Sequence, residues 1–179
     1  MRKIQAFIIM NGVGRWFIVA KISIYGFDSY AKKLKNLSDQ IVKIEGDAIY
    51  NAADVVADEV RKGIHWINPG SSSGNESEYE YQRRVKQIEG LEKSFGIAEL
   101  RDDNGFKNVK LGFEGYNDVK TKKHPNGQPN PMIARVFNSG TSFSSKQPFF
   151  DIAIRNSRNR ATKVMKETVE NEIDNVMKG

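Results

Sequence analysis

The stretch DSYAKKLKNLSDQIVKIEGDAIYNAADVVADEVRKGI, residues 28–64, decides how this chain folds. Leu34, Leu37, Ile41, Ile44, Ala48, Ala52, Val55 and Val60 follow one another by three, four or five positions, which lays them along one stripe of an α-helix. Lys32, Lys33, Lys35, Asp39, Lys43, Asp47 and Asp54 fill the other faces. Asp28 suits the N-cap, because its carboxylate can accept from the free N–H groups of the first turn. Gly46 lies inside the helix at a cost of about 1 kcal/mol relative to Ala, and it marks a bend or a close contact. Gly63 stands near the C-terminal end. A helix this long with a single apolar stripe needs a sheet or a second helix to cover it.

Upstream, AKISIY (residues 20–25) alternates, with Ile22 and Ile24 on one side and Lys21, Ser23 and Tyr25 on the other. That is a half-buried strand, ended by Gly26. The residues before it are apolar after a basic start, but Gln5, Asn11, Gly12, Gly14 and Arg15 interrupt the run and no small-residue cleavage site follows. The run is also too short and broken to span a membrane. Two readings of residues 1–18 stay open. One is a genuine N-terminal arm or strand. The other is a translated leader: Gly14-Arg15-Trp16 can be encoded by purine-rich codons resembling a ribosome-binding site, and Val19 by GTG, which can serve as a start. N-terminal sequencing of native material separates the two. The rest, residues 19–179, is expected to be a single domain.

Downstream, residues 68–75 (NPGSSSGN) have the composition of a loop. Ser77 and Glu80 then form a capping box for a helix over residues 78–94, with Val85, Ile88 and Leu91 as a modest apolar face. Residues 96–100 and 107–114 read as two strands of a hairpin. Val109, Leu111 and Phe113 alternate, and Asp102-Asp103-Asn104-Gly105 supplies the turn. Asp102 and Asp103 lack the spacing and terminal Glu of an EF-hand, so they read as turn residues. Residues 115–131 are polar, with three prolines and a Lys120, Lys122, Lys123, His124 cluster. A loop of this length in a small domain is usually functional or disordered. Residues 132–138 suit a short helix or strand.

The last helix is predicted to start at Pro148, since a proline N–H would be unpaired in a first turn anyway. Its stripe is Ile154, Ala161, Val164 or Met165, Val169, Ile173 and Val176. Residues 146–166 carry six cations against one anion, and residues 167–178 four anions against one cation. This order opposes the helix dipole. It reads either as a solvated face with pairs such as Lys163–Glu167 and Lys166–Glu170 or as a bipolar strip that meets a complementary strip on a neighbouring subunit. Phe149 and Phe150 are about 100° apart around a helix and so are expected to point to different places. In one reading one packs under the sheet, and the other contacts a neighbour or anchors the 140–142 turn. In the other reading both are buried, one on the sheet and one on the first helix.

The 179 residues suffice for a core that buries roughly 70% of the unfolded surface. The absence of cysteine excludes disulfides and thiolate chemistry, and two histidines without cysteine leave little for zinc. A net charge of +6 is mildly basic, short of the loading of a dedicated nucleic-acid binder. No Ser-His-Asp or Cys-His arrangement is readable. His65, next to Trp66 at a helix end, reads as a packing or capping residue, and Gly12-Val-Gly14 is a weak match to a nucleotide loop. No enzyme, metal or cofactor is expected. The fold class is α+β: a small antiparallel sheet, built from the strand near Ile22 and the hairpin around Asn104, packs against a long N-terminal helix and a long C-terminal helix.

Three stretches carry a family likeness: Lys21-Ile-Ser-Ile-Tyr-Gly26 leading into the long helix, Gly140-Thr141-Ser142, and Gln147-Pro148-Phe149-Phe150 before the closing helix. With them the chain, over residues 19–179, resembles the neck or tail-completion (minor head–tail joining) proteins of long-tailed bacteriophages, a family related to the lambda tail-completion protein. It departs from the family where an aromatic-Ala and an acidic residue more often precede the Gly-Thr; here Ile133-Ala134 and Phe137-Asn138-Ser139 stand there. The resemblance implies a structural virion protein without catalysis or cofactor, made in the host bacterial cytoplasm and located at the head–tail junction. It implies a homo-oligomeric, typically sixfold ring. The ring joins filled capsids to tails beside the capsid connector or head-closure protein and the tail terminator or tail tube, and leaves a passage for DNA. No membrane is involved. On this reading Gly140, Thr141, Ser142, Pro148, Phe149, Phe150, Arg155 and Arg158 are candidate subunit or partner contacts, and Lys120, Lys122 and Lys123 face DNA or a partner. The rival from another class is a small nucleic-acid-binding regulator using Arg155, Arg158, Arg160 and Lys163, against which the acidic second half of the helix argues. A small enzyme with converging carboxylates is the third reading.

Overall fold

The computed structural model describes residues 2–10, 16–24, 26–70, 77–142 and 144–178, the first two stretches by backbone course and pairing. Tyr25, Gly12, Gly14 and most of the predicted 68–75 loop lie outside the described residues. The chain order is β1 (Arg2–Met10), β2 (Trp16–Ile24), α1 (Phe27–His65), α2 (Glu78–Ser94), β3 (Phe95–Ile97), β4 (Arg101–Asp103), β5 (Phe106–Asn108), β6 (Leu111–Phe113), α3 (Asn130–Ser139) and α4 (Phe149–Lys178). The fold is α+β, with long first and last helices and short antiparallel strands. The chain divides into two compact units, Met1–Val42 with Glu172–Gly179, and Lys43–Asn171.

In the first unit β1 and β2 pair antiparallel along their whole length, from Arg2↔Ile24 to Met10↔Trp16. The predicted strand around Ile22 is present, but its partner is β1 and not the hairpin around Asn104. Sequential strands closed by a short connection pair at little entropic cost, and this local choice outcompetes the distant one. Residues 27–42 of α1 and 172–178 of α4 belong to the same unit, where the Lys33 ammonium donates to the carbonyl of Met177 (2.6 Å). Phe27 (68% exposed), Tyr30 and Leu34 stay exposed, so the apolar stripe of α1 is longer than its buried part.

In the second unit burial on α1 starts at Ile44 and runs through Ala48, Ala52, Ala57, Val60 and Ile64. At Gly46 an added Cβ would lie 3.4 Å from Cδ2 of Leu100, an ordinary van der Waals contact that does not itself require glycine. Residues 149–171 of α4 run back along α1, tied by Asn51 Nδ2 donating to Thr168 Oγ1 (3.2 Å) and by Arg160 donating to Glu59 (2.8 Å). Ser157 on the inner face of α4 is fully buried, and its hydroxyl donates to the carbonyl of Ala153 (2.7 Å). The core gathers Ala57, Val60 and Ile64 with Leu91 of α2, Ile133 and Phe137 of α3, and Phe149 of α4. The capping box starts α2: the amide of Glu80 donates to Ser77 Oγ and the amide of Ser77 to the Glu80 carboxylate.

The predicted pair of strands resolves into four short ones. β3 pairs with β6 (Phe95↔Phe113), and β4 with β5 (Asp103↔Phe106). They are therefore two small ribbons apart from the β1–β2 hairpin, not parts of one sheet. The β4–β5 turn has Asn104 at φ 58° and Gly105 at φ 89°, the positive angles that a two-residue turn matching strand twist demands. Asp102 accepts from the amide of Gly105 (2.6 Å), a turn role for the residue weighed as a calcium ligand. The ribbon is held beside the middle of α1 by an ion pair between Lys107 and Glu45, and the segment before it by the Tyr50 hydroxyl accepting from the amide of Leu100 (2.8 Å).

The long polar connection before α3 is ordered. Tyr116 bridges Pro129, and the amide of Asn117 donates to the carbonyl of Gln128 (2.9 Å). Gln87 of α2 donates to the buried side chain of Gln128 (2.6 Å), and Val119 is buried beneath the loop.

Candidate functional site

The end of α1 and the start of α4 enclose an open apolar groove of about 390 Å³ in the second unit. Its floor is Ile67, Phe149 and Ala153, and its rim is Trp66, Ile152 and Lys62. Trp66 is 83% exposed and Ile152 42%. Tryptophan is highly buried on average, so a bare one beside an apolar groove marks a surface meant for contact.

Local chemistry fixes the groove. At Gly63 the two helices approach so closely that a Cβ would lie 3.1 Å from the carbonyl oxygen of Phe149. Gln147 clamps the segment before α4 to the segment after α1: its amide nitrogen donates to the carbonyl of Asn68 (2.9 Å), and its oxygen accepts from the amide of Asn68 (2.7 Å). The start of α4 is capped from another helix, since Oδ1 of Asn138 accepts from the amides of Phe150 (3.0 Å) and Asp151 (3.3 Å). Pro148 precedes the first helical residue and accepts from the amide of Ile152 (3.0 Å). Glu59, on the lining, accepts from Arg160 (2.8 Å) and Lys62 (2.9 Å), and these hydrogen bonds, Arg160's first, hold its carboxyl below the usual range.

The sequence-predicted residues fall in several places. Gly140 caps α3 at φ 74° and ψ 171°, and a Cβ there would meet the backbone nitrogen of Lys146 at 2.9 Å. Thr141 and Ser142 are exposed on the turn that follows, where Thr141 bridges Ser144. Pro148 and Phe149 line the groove. Of the two readings of the phenylalanine pair, the one that packs them on the first helix and the sheet is the nearer: Phe149 lies against Gly63 of α1, and both rings meet Phe113 of β6, at centroid distances of 6.2 and 6.3 Å. Phe149 is buried, and Phe150 is partly buried against the same core. Arg155 and Arg158 are exposed beyond the groove; the carbonyl of Arg158 accepts from the Thr162 hydroxyl (3.0 Å). Lys120, Lys122 and Lys123 are exposed on the ordered loop packed against α2, away from these residues. His65 is no packing residue: most of its side chain is exposed, with Nδ1 3.8 Å from Glu92. Sequence reading missed Trp66, Ile152 and Asn138 as site residues and singled out Gln147 without its clamp, because these roles depend on contacts across the fold.

Among the described residues no group of three His, Asp or Glu side chains is placed to hold a metal ion, and no helix is long and apolar enough to cross a membrane. Comparison of the chain with protein-family models, curated proteins and solved structures found no match.

Proposed function

We propose that this chain is a structural virion protein of a tailed phage. It forms a ring at the head–tail interface that joins filled capsids to tails and leaves a passage for DNA. The observation that carries the reading is the linked set at the start of α4. There the Gly140 turn, the Gln147 clamp and Pro148-Phe149 set the entry of the closing helix against the end of the long first helix, beside an exposed apolar groove. These are the residues on which the likeness to neck and tail-completion proteins rests. An exposed apolar groove beside them is the kind of surface a ring subunit presents to its neighbours. The further partners on this reading are the capsid connector or head-closure protein on one side and the tail terminator or tail tube on the other.

The nucleic-acid-binding alternative draws little from the basic half of α4. Arg160 is engaged by Glu59, and Lys163 and Lys166 lie 3.7 and 3.6 Å from Glu167 and Glu170. Arg155 and Arg158 alone give a salt slope of about −2 in log K against log salt. The test of the leading reading is electron microscopy of a lysate from a phage lacking this gene product. Packaged heads and separate complete tails, joined on adding purified protein, are the expected result; joined virions without the protein would remove the reading.

A further inference from the structure

We infer that the cleft between α2 and the segment after β6 binds an extended peptide segment of a partner protein, whose main-chain amide groups meet Asn117 and Asn130. The cleft has a volume of about 230 Å³, and Gly90, Asn117 and Asn130 belong to its lining. Asn117 is 4% exposed and Asn130 2%. Each side chain has one fixed bond. Oδ1 of Asn117 accepts from the amide of Val119 (3.0 Å), and Nδ2 of Asn130 donates to the carbonyl of Glu114 (2.9 Å). These bonds settle which way round each amide stands. They leave Nδ2 of Asn117, a donor, and Oδ1 of Asn130, an acceptor, buried without a partner among the described residues. Gly90 brings both asparagines against α2: a Cβ there would lie 2.5 Å from Cβ of Asn117 and 3.0 Å from Oδ1 of Asn130.

A buried polar atom left unpaired is costly, so the pair points to a ligand that supplies one acceptor and one donor. A metal cation would meet the Asn117 donor. An inorganic anion would meet the Asn130 acceptor, with the carboxylates of Glu89 and Glu114 beside it. A nucleic-acid strand would bring its phosphates past the same carboxylates. An apolar group would leave both atoms unpaired. A peptide unit carries one C=O and one N–H and satisfies both, and it is neutral, so neither sign of charge around the cleft opposes it.

The site continues along the helix. A second hollow of about 170 Å³ shares Lys86 and Asp118 with the cleft and is lined by Arg83, whose Nε is also buried without a partner among the described residues. Arg83 and Gly90 stand on one face of α2, seven residues and so about 10 Å apart. An extended segment of about three residues covers that distance, which places a further carbonyl of the same peptide at Arg83. Main-chain bonds of this kind bind a strand with little regard to its side chains. The inference goes beyond the ring reading and does not rest on it.

Nitrogen-15 NMR of the intact chain tests it, because the side-chain amide of Asn117 and the Nε–H of Arg83 are read directly. Acetyl-tetraalanine amide at millimolar concentration is expected to move both resonances to saturation. Acetyl-tetrasarcosine amide has the same carbonyls without the interior N–H groups and should bind about tenfold more weakly. Asn117→Asp keeps the acceptor for the Val119 amide and replaces the free donor by an oxygen. It should weaken binding of the alanine peptide about tenfold and leave the Val119 amide resonance in place. Resonances that stay still with the alanine peptide overturn the inference, as do equal shifts with acetate or phosphate. Tighter binding of the oligonucleotide dT8 than of the peptide would assign the cleft to nucleic acid. A long-lived water that stays at Asn117 in excess peptide would make the pair an internal water site and remove the peptide.

Discussion

The ψ of 171° that accompanies the φ of 74° at Gly140 belongs to a region of backbone space essentially reserved for glycine. A side chain there also meets the backbone nitrogen of Lys146 at 2.9 Å, which cannot swing aside. Gly140→Ala is therefore expected to lower stability by about 1–3 kcal/mol, read from the urea midpoint. Gly112→Ala is the control, since nothing lies within 4 Å of its added Cβ, and it should change stability by about 0.5 kcal/mol or less. Asn138 belongs to the same scale. Its Oδ1 is the cap of α4, so Asn138→Ala should cost about 1 kcal/mol. Asn138→Asp should keep most of the stability, because a carboxylate accepts the same amides and suits the positive end of the helix. Equal losses in the two variants would show that the amide nitrogen of Asn138 matters and not the cap.

Between elements, the reciprocal bonds of Gln147 join the end of α1 to the approach to α4. Gln147→Ala removes both bonds and should cost about 1–3 kcal/mol, with faster hydrogen exchange at the amide of Asn68 as the local signature. Gln147→Glu keeps the acceptor and loses the donor, so it should fall between. An unchanged Asn68 exchange rate in Gln147→Ala would mean that the clamp does not hold this junction. The contrast with the helices shows what the sequence could reveal. Periodicity placed α1 and α2 within a residue of their ends, and Ser77 with Glu80 announced a cap that forms as read. Asn104-Gly105 likewise announced its turn. These are interactions among residues close in the chain. The cap supplied to α4 by Asn138 and the clamp between Gln147 and Asn68 are not local. Periodicity carries no trace of them. The groove was half legible: Pro148 and Phe149 stood out by composition, while exposed Trp66 and Ile152 became visible only once burial was known.

At the scale of the whole molecule, folding stability responds to pH through the carboxyl group that ties α4 to α1. Glu59 accepts from Arg160 of α4 and Lys62 of its own helix, and both cations favour its ionised form. Its acidity is thus raised in the folded state relative to the unfolded chain, where it titrates in the ordinary glutamate range of about 4.3. A depressed folded value means that the stabilisation is fully present above the unfolded value. It is lost as pH falls through the folded one, because the unfolded chain binds the proton first. Glu59→Gln removes this contribution. At neutral pH the variant is expected to unfold at a lower urea concentration than the unsubstituted chain. The gap should narrow steadily as pH falls from about 6 to about 3. Half of the Arg160 side chain is exposed, so salt should also shrink the gap at neutral pH. Unfolding curves at several pH values, each in low and high salt, check both. A gap independent of pH would show that Glu59 acts through packing and not through its charge. A gap that widens in acid would contradict the assigned sign.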